Sequence, residues 1–272
     1  MTKTNNSLAE RISLHYPKLT ASSRRIADYL QLNPEKILML STGEIAEVCL
    51  VSKASVSCFI RQLGYDDHLA LRNELMTERD SGVPVLTSSI DDSVFHEELK
   101  SFEQLWSQLS EADHSDLIEQ ISTAKRVKII GYRNSYPVAM HFRQQLMQCR
   151  KDVDLLPLPG QTLGEEITAI EDEDFVIIIG LRRRVKNFVD IIDQLSGQRV
   201  LLITDQSGQK YADRVSKVLI CHMNNRLPLD SYAVPMSLVA YLVNKVYLYL
   251  DHEASKVTRE ISASYSKLNE LE

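Results

Sequence analysis

Ser41-Thr42-Gly43-Glu44-Ile45-Ala46-Glu47-Val48-Cys49-Leu50-Val51-Ser52-Lys53-Ala54-Ser55-Val56-Ser57-Cys58-Phe59-Ile60-Arg61-Gln62-Leu63-Gly64 reads as two short helices joined by a tight turn. Ile45, Ala46 and Cys49 make one apolar face, and Val56, Phe59, Ile60 and Leu63 recur at helical spacing in the second helix. Thr42 is expected to cap the first helix and Ser52 the second, each accepting a bond from an orphan backbone N–H. Gly64 ends the pair. The outward set Lys53, Ser55, Ser57, Arg61 and Gln62 supplies the donors of a major-groove helix, with small residues at its N-terminal end to permit close approach to base edges. Two helices and a turn also occur as plain packing units, so both readings stand on this stretch alone.

Upstream, Ser22 to Leu30 reads as a further helix, with Ile26, Tyr29 and Leu30 available to the same core and Arg24 and Arg25 placed to meet phosphates. The chain has 272 residues, enough for two substantial cores. Its net charge of -6 excludes a protein that coats nucleic acid indiscriminately and leaves room for a local binding face. No signal peptide opens the sequence, and no uncharged apolar run reaches the ~18 residues a membrane span needs, so a cytoplasmic chain with no membrane partner is expected. Cys49, Cys58, Cys149 and Cys221 are dispersed without a CxxC pair, which points to neither a zinc cluster nor a disulfide framework.

Beyond Thr77 to Pro84, where Gly and Pro break the helical pattern, Ser93 to Ile121 returns to helix-like spacing and would connect domains or pair with a partner chain. Trp106, the only tryptophan, is read as a packing or interface residue. From Arg126 onward strands alternate with helix-length intervals: 127–131, 152–156, 175–180, 199–205 and 218–220. That alternation is the pattern of a parallel sheet with helices on both faces, whose ligands sit beyond the strand C-termini. Gly131-Tyr132-Arg133-Asn134-Ser135 lacks the glycines of a dinucleotide fingerprint, so no cofactor is implied. The apolar tract from Ser231 to Leu250 is broken by Asn244 and Lys245 and is read as a buried helix that packs on the sheet and against a second subunit.

Taken with Val51-Ser52-Lys53-Ala54-Ser55-Val56, Phe59 through Tyr65, and Gly131 through Ser135, the chain resembles the RpiR family of bacterial transcriptional regulators over roughly residues 5–250. The resemblance implies an all-α helix-turn-helix N-terminal domain (1–80), a linker and connecting helix (81–120), an α/β three-layer parallel-sheet SIS-type domain (121–255) and a C-terminal tail (256–272). It also implies a homodimer or homotetramer that binds a double-stranded DNA operator, an inverted repeat, in response to a phosphosugar, with no enzymatic turnover. An effector at the strand ends would then alter the fit of paired recognition helices to successive major grooves. DNA contacts fall to Arg24, Arg25, Thr42, Ser52, Lys53, Ser55, Ser57 and Arg61. At Cys58 many family members carry arginine.

The ligand domain departs from the family. Its phosphosugar-binding members carry a Ser-x-Ser-Gly-x-Thr run, where this chain has Gly180-Leu181-Arg182-Arg183-Arg184-Val185-Lys186. The hydroxyls are lost, but the guanidinium groups suit bidentate capture of a carboxylate or phosphate. The effector set is therefore Arg133, Asn134, Ser135, Arg182, Arg183, Arg184 and Thr204, binding a small anionic metabolite. Salt bridges within or between subunits are the competing use of the arginines. Ser135 is equally an ordinary helix cap, and Asp205 before Gln206-Ser207-Gly208 equally makes a turn that satisfies its own backbone. Glu165 and Glu166 are the tempting general bases of a sugar-phosphate isomerase, but adjacency in sequence places neither beside a substrate proton; His141 lacks a triad partner. No catalytic or metal-binding residue is assigned. A stand-alone isomerase and a non-enzymatic scaffold remain the alternative classes.

Overall fold

Apolar residues at helical spacing close the N-terminal unit around one core. The computed structural model describes residues 8–81, 92–223 and 229–271. In the first of two units, six helices follow in order: α1 (Leu8–His15), α2 (Ala21–Leu32), α3 (Lys36–Met39), α4 (Thr42–Val48), α5 (Lys53–Gln62) and α6 (His68–Ser81). Ile26 and Leu30 of α2, Ile45 of α4, and Val56, Phe59 and Ile60 of α5 are all fully buried in that core.

The start of α4 corrects one expectation. Ser41, not Thr42, is the cap: its Oγ accepts from the Glu44 N–H at 3.3 Å, and Glu44 Oε2 accepts from the Ser41 N–H at 2.7 Å. This reciprocal capping box satisfies two orphan donors and leaves Thr42 as the first helical residue. The α4–α5 turn passes through Leu50 at φ 54°, and Ser52 caps α5 by accepting from the Ser55 N–H at 3.1 Å. Gly64, at φ +90°, follows the end of α5, a left-handed position that favours glycine.

Residues 82–91 of the expected linker lie outside the described residues. The 93–121 segment is two helices, α7 (Asp92–Glu111) and α8 (Ser115–Thr123), because Asp113 Oδ1 accepts from the Ser115 N–H at 2.8 Å and starts a new helix. These helices differ from a linker and connecting helix: Leu105, Leu109, Leu117, Ile118 and Ile121 are buried in the core of the second unit, which runs from Glu97. Burial of five such side chains binds the segment to the sheet domain.

The sheet has β1 (Val127–Gly131), β2 (Val153–Leu156), β3 (Phe175–Gly180), β4 (Val200–Thr204) and β5 (Lys217–Ile220), all parallel in the order β2-β1-β3-β4-β5. Alternation along β3 explains its unbroken apolar run: Phe175, Ile177 and Ile179 face one core, Val176 and Ile178 the other. The first face is covered by α7, α8, α9 (Ser135–Leu146) and α12 (Ala233–Leu250). The second is covered by α10 (Gly164–Thr168) through Ile167 and by α11 (Phe188–Gln194) through Phe188, Ile191 and Ile192. This is the expected three-layer α/β architecture.

Among the described residues, α12 is long and apolar enough to cross a membrane by composition, but Leu238, Val239, Leu242 and Val246 are buried in the first core. The expected tail is a helix, α13 (His252–Leu268), held where Thr258 donates to the Gln148 carbonyl at 2.9 Å and Lys151 pairs with Glu260 at 3.0 Å. The free side of edge strand β5 is occupied by Gln108, whose amide donates to the Ile220 carbonyl at 2.9 Å and accepts from the Ile220 N–H at 3.0 Å. A side chain thus stands where a sixth strand would pair.

Candidate DNA-reading helix and strand-end anion site

On α5 the buried residues Val56, Phe59 and Ile60 leave the opposite face to solvent. At 100° per residue, Ala54, Cys58 and Arg61 form its centre, with Ser57 and, further round, Lys53 on one side and Gln62 and Ser55 on the other. Thr42, Ser57 and Arg61 line one open hollow with His68 and Arg72, two residues the sequence reading missed; Glu44, Asp66 and Asp67 line it as well. Burial, with Arg72 nearby, pushes the His68 pKa down, which favours the neutral imidazole. Ser52 and Ser55 bond each other at 2.9 Å at the head of the helix. Arg24 and Arg25 are exposed, yet each serves the fold: Arg24 donates to the Pro17 carbonyl and Arg25 to the Leu50 carbonyl of the helix-joining turn, both at 3.3 Å. Ala54, which the sequence reading left out, stands at i, i+4 spacing from Cys58, with Arg61 three residues beyond.

In the sheet domain, strand order reverses between β1 and β3, which places the crevice at their C-terminal ends. Ser135, at the start of α9, is buried, and its Oγ accepts from the Leu181 N–H at 3.1 Å, tying the loop after β1 to the loop after β3. The register pairs Gly180 of β3 with Thr204 of β4, so residues just beyond these two strands meet. Thr204 is fully buried and donates to the Gly180 carbonyl at 2.8 Å.

Arg184 fills this end of the sheet. Its Nη2 donates to Thr204 Oγ1 and to Asp205 Oδ2, both at 2.7 Å, and its Nη1 donates to Ser207 Oγ at 3.0 Å. The guanidinium lies 5.6 Å from the Phe188 ring centroid and 5.7 Å from that of Tyr211. Asp205 also accepts from the Arg182 N–H at 2.7 Å and the Ser207 N–H at 2.8 Å. It therefore makes the self-satisfying turn and holds Arg184 at once. Gly208 covers the cluster: a Cβ there would overlap Thr204 Oγ1 and Arg184 Nη2.

Of the residues read from sequence, the structure brings Ser135, Arg184 and Thr204 to this crevice. Arg133, at φ 53°, and Asn134 stand exposed on the turn after β1. Arg182 contributes its backbone, its carbonyl accepting from Tyr232 Oη at 3.3 Å, and Arg183 is half-buried beside it. Ser207 and Tyr211 were missed because only the pairing of β3 with β4 brings them to Arg184, whereas Phe188 stands four residues from it in the chain. Glu165 accepts from Thr162 Oγ1 at 2.7 Å, and Glu166 lies 3.6 Å from the buried Lys128 Nζ, near the other end of β1. Neither carboxylate joins the crevice cluster. His141 is half-buried on α9.

Residues 6–82 match the helix-turn-helix domain of the rpiR family, and residues 120–245 match the SIS domain. An uncharacterised HTH-type transcriptional regulator of Escherichia coli K12, YfhH, is 25% identical over 225 residues, 77% of this chain and 79% of the relative. The Vibrio vulnificus NanR protein, solved with ManNAc-6P, has a similar fold, with a TM-score of 0.56 at 17% identity over 96% of this chain and 99% of that one. The sugar isomerase domain of an RpiR transcription factor from Sphaerobacter thermophilus matches with a TM-score of 0.56 at 20% identity, over 63% of this chain and 97% of that one. A helix-turn-helix unit and a parallel SIS sheet joined in one chain make this protein a member of the RpiR family of DNA-binding transcriptional regulators.

Proposed function

We propose that this regulator binds a small anionic metabolite at the C-terminal ends of β1, β3 and β4, and that occupancy changes its affinity for operator DNA. The observation that carries the reading is Arg184, a guanidinium drawn to the switch-point crevice beside Ser135 and Thr204. Such a group recognises carboxylate and phosphate by paired N–H donors. NanR, of similar fold, was solved with a sugar phosphate, ManNAc-6P, which supports a ligand of this class. The role is binding without turnover, since Glu165 and Glu166 have other partners.

At the DNA end, the face of α5 centred on Ala54, Cys58 and Arg61 enters the major groove, with Lys53, Ser57 and Thr42 beside it. A homodimer or homotetramer presents paired copies of α5, which makes an inverted repeat the matching operator. The test is selection of genomic fragments by the purified full chain at stated salt, followed by titration of anionic metabolites against the selected operator. The expected result is an enriched inverted repeat whose affinity shifts at least about fivefold with one metabolite. A metabolite that binds tightly and leaves operator affinity unchanged removes the coupling.

A further inference from the structure

Among the described residues, Arg184 itself occupies this part of the crevice. The space left between Arg184, Ser135, Tyr132 and Phe188 is about 10 Å³, room for about one water. A metabolite that pairs with Nη2 replaces a present partner of Arg184. The guanidinium is also incompletely satisfied: its Nε is buried and has no hydrogen-bond acceptor among the described residues, while Nη1 and Nη2 are engaged. A buried donor without an acceptor is costly and rare. The same chain shows the completed arrangement at Arg126, whose Nε and Nη2 grip the two oxygens of Asp174, each at 2.9 Å.

We infer that Asp205 is a built-in competitor for the ligand, and that the site takes an oxyanion, carboxylate or phosphate, whose oxygens displace Asp205 from Arg184 and accept from both Nη2 and Nε. This rests on the strand-end effector reading and adds how the site opens. Release of Asp205 carries a consequence for the loops, because the same carboxylate accepts from the Arg182 and Ser207 backbone N–H groups. Those bonds tie the loop after β3 to the turn after β4. Ligand exchange at one guanidinium therefore loosens two loops together, which is how occupancy becomes a change of shape.

The test uses the full chain, with inorganic phosphate and malonate as separate probes in calorimetric titrations. Asp205→Asn keeps one side-chain oxygen, enough for one of the two backbone N–H groups, and removes the competing charge; it should bind at least one probe about tenfold or more tighter than the unaltered chain. The probe that gains identifies the oxyanion. Arg184→Met should bind neither. Should Asp205→Asn fail to fold, the Arg184 Nε–H resonance of the unaltered protein, assigned by its loss in Arg184→Met, provides the second measurement: it should shift on titration. A resonance unmoved at saturation overturns the inference. Equal binding by the unaltered chain and Asp205→Asn, lost in Arg184→Met, overturns the competition and leaves the strand-end site standing. Equal binding by all three removes the effector site as well, and no binding by a folded Asp205→Asn overturns the competition.

Discussion

The sheet holds two arginine–aspartate pairs at its opposite ends, and they are built differently. Before β1 and β3, Arg126 and Asp174 form a two-pronged pair. Asp174 is fully buried and takes a third bond from the Glu171 N–H at 3.0 Å, and Lys125 closes the network on Glu171 at 2.7 Å. After β3 and β4, Arg184 and Asp205 share a single 2.7 Å contact, and the Nε of the arginine is left over. The same two residue types thus make a finished structural clamp at one end and an unfinished one at the end where ligands of parallel sheets bind. A buried pair is evidence of stability only when its remaining donors and acceptors are satisfied. The pair that leaves a donor over is the one to suspect of a further role.

The sharpest way to break this contrast is to remove one carboxylate at each end. Asp174→Ala should cost about 3 kcal/mol in urea unfolding, because it removes three hydrogen bonds made by a buried carboxylate and leaves Arg126 only Glu171 and the Ala169 carbonyl. Asp205→Asn should cost less, about 1–2 kcal/mol, since its amide oxygen retains one of the two backbone bonds. Equal losses would make both pairs structural.

Gly208→Ala tests how tightly the lid sits on Arg184. Overlap with Thr204 and Arg184 should destabilise the sheet domain by about 1–3 kcal/mol and weaken anion binding, whereas the same change at the open Gly160 should leave anion binding untouched. A Gly208→Ala protein of normal stability would show that the turn after β4 is loose.

Acid unfolding separates the ends by charge. Burial works to raise the Asp174 pKa, but the Arg126 and Glu171 hydrogen bonds and the Arg126 charge carry it below the unfolded value of 3.8. A depressed carboxylate stabilises the fold fully above its unfolded value and loses that contribution as pH falls through the folded one. Stability of the unaltered chain should therefore fall below about pH 4, and Asp174→Asn should show a flatter fall over the same window. An unchanged slope would mean that Arg126 does not hold the charged form.

The smallest effect sharpens the comparison by adding a third arginine, Arg61, exposed on α5, the helix proposed to read DNA. Arg61→Ala should weaken operator binding about tenfold and leave phosphate and malonate titrations unchanged. Undiminished operator affinity would take Arg61 off the reading face.

Much of the architecture could be read from local pattern. The runs 127–131 and 175–180 coincide with β1 and β3, because a parallel strand buried on both faces must be apolar at every position. Val56, Phe59 and Ile60 announced the buried side of α5, and so its exposed one, for the same geometric reason. The Ser41 cap was also legible, since Ser41 and Glu44 stand at capping-box spacing, but Thr42 is an equally good cap by residue type and drew the assignment. Burial in the connecting segment was not legible, because Leu105 and Leu117 look alike in sequence whether they meet solvent, a partner or a core.

Sequence by itself thus determined two domains, their classes, the strands and the arginine-rich loop, all of which depend on residues close together in the chain. The tertiary structure alone decided what that loop does. Arg184 and Asp205 meet because β3 and β4 are neighbours with Gly180 opposite Thr204. The strength of an ion pair and the fate of one N–H depend on that long-range register, which no local periodicity encodes.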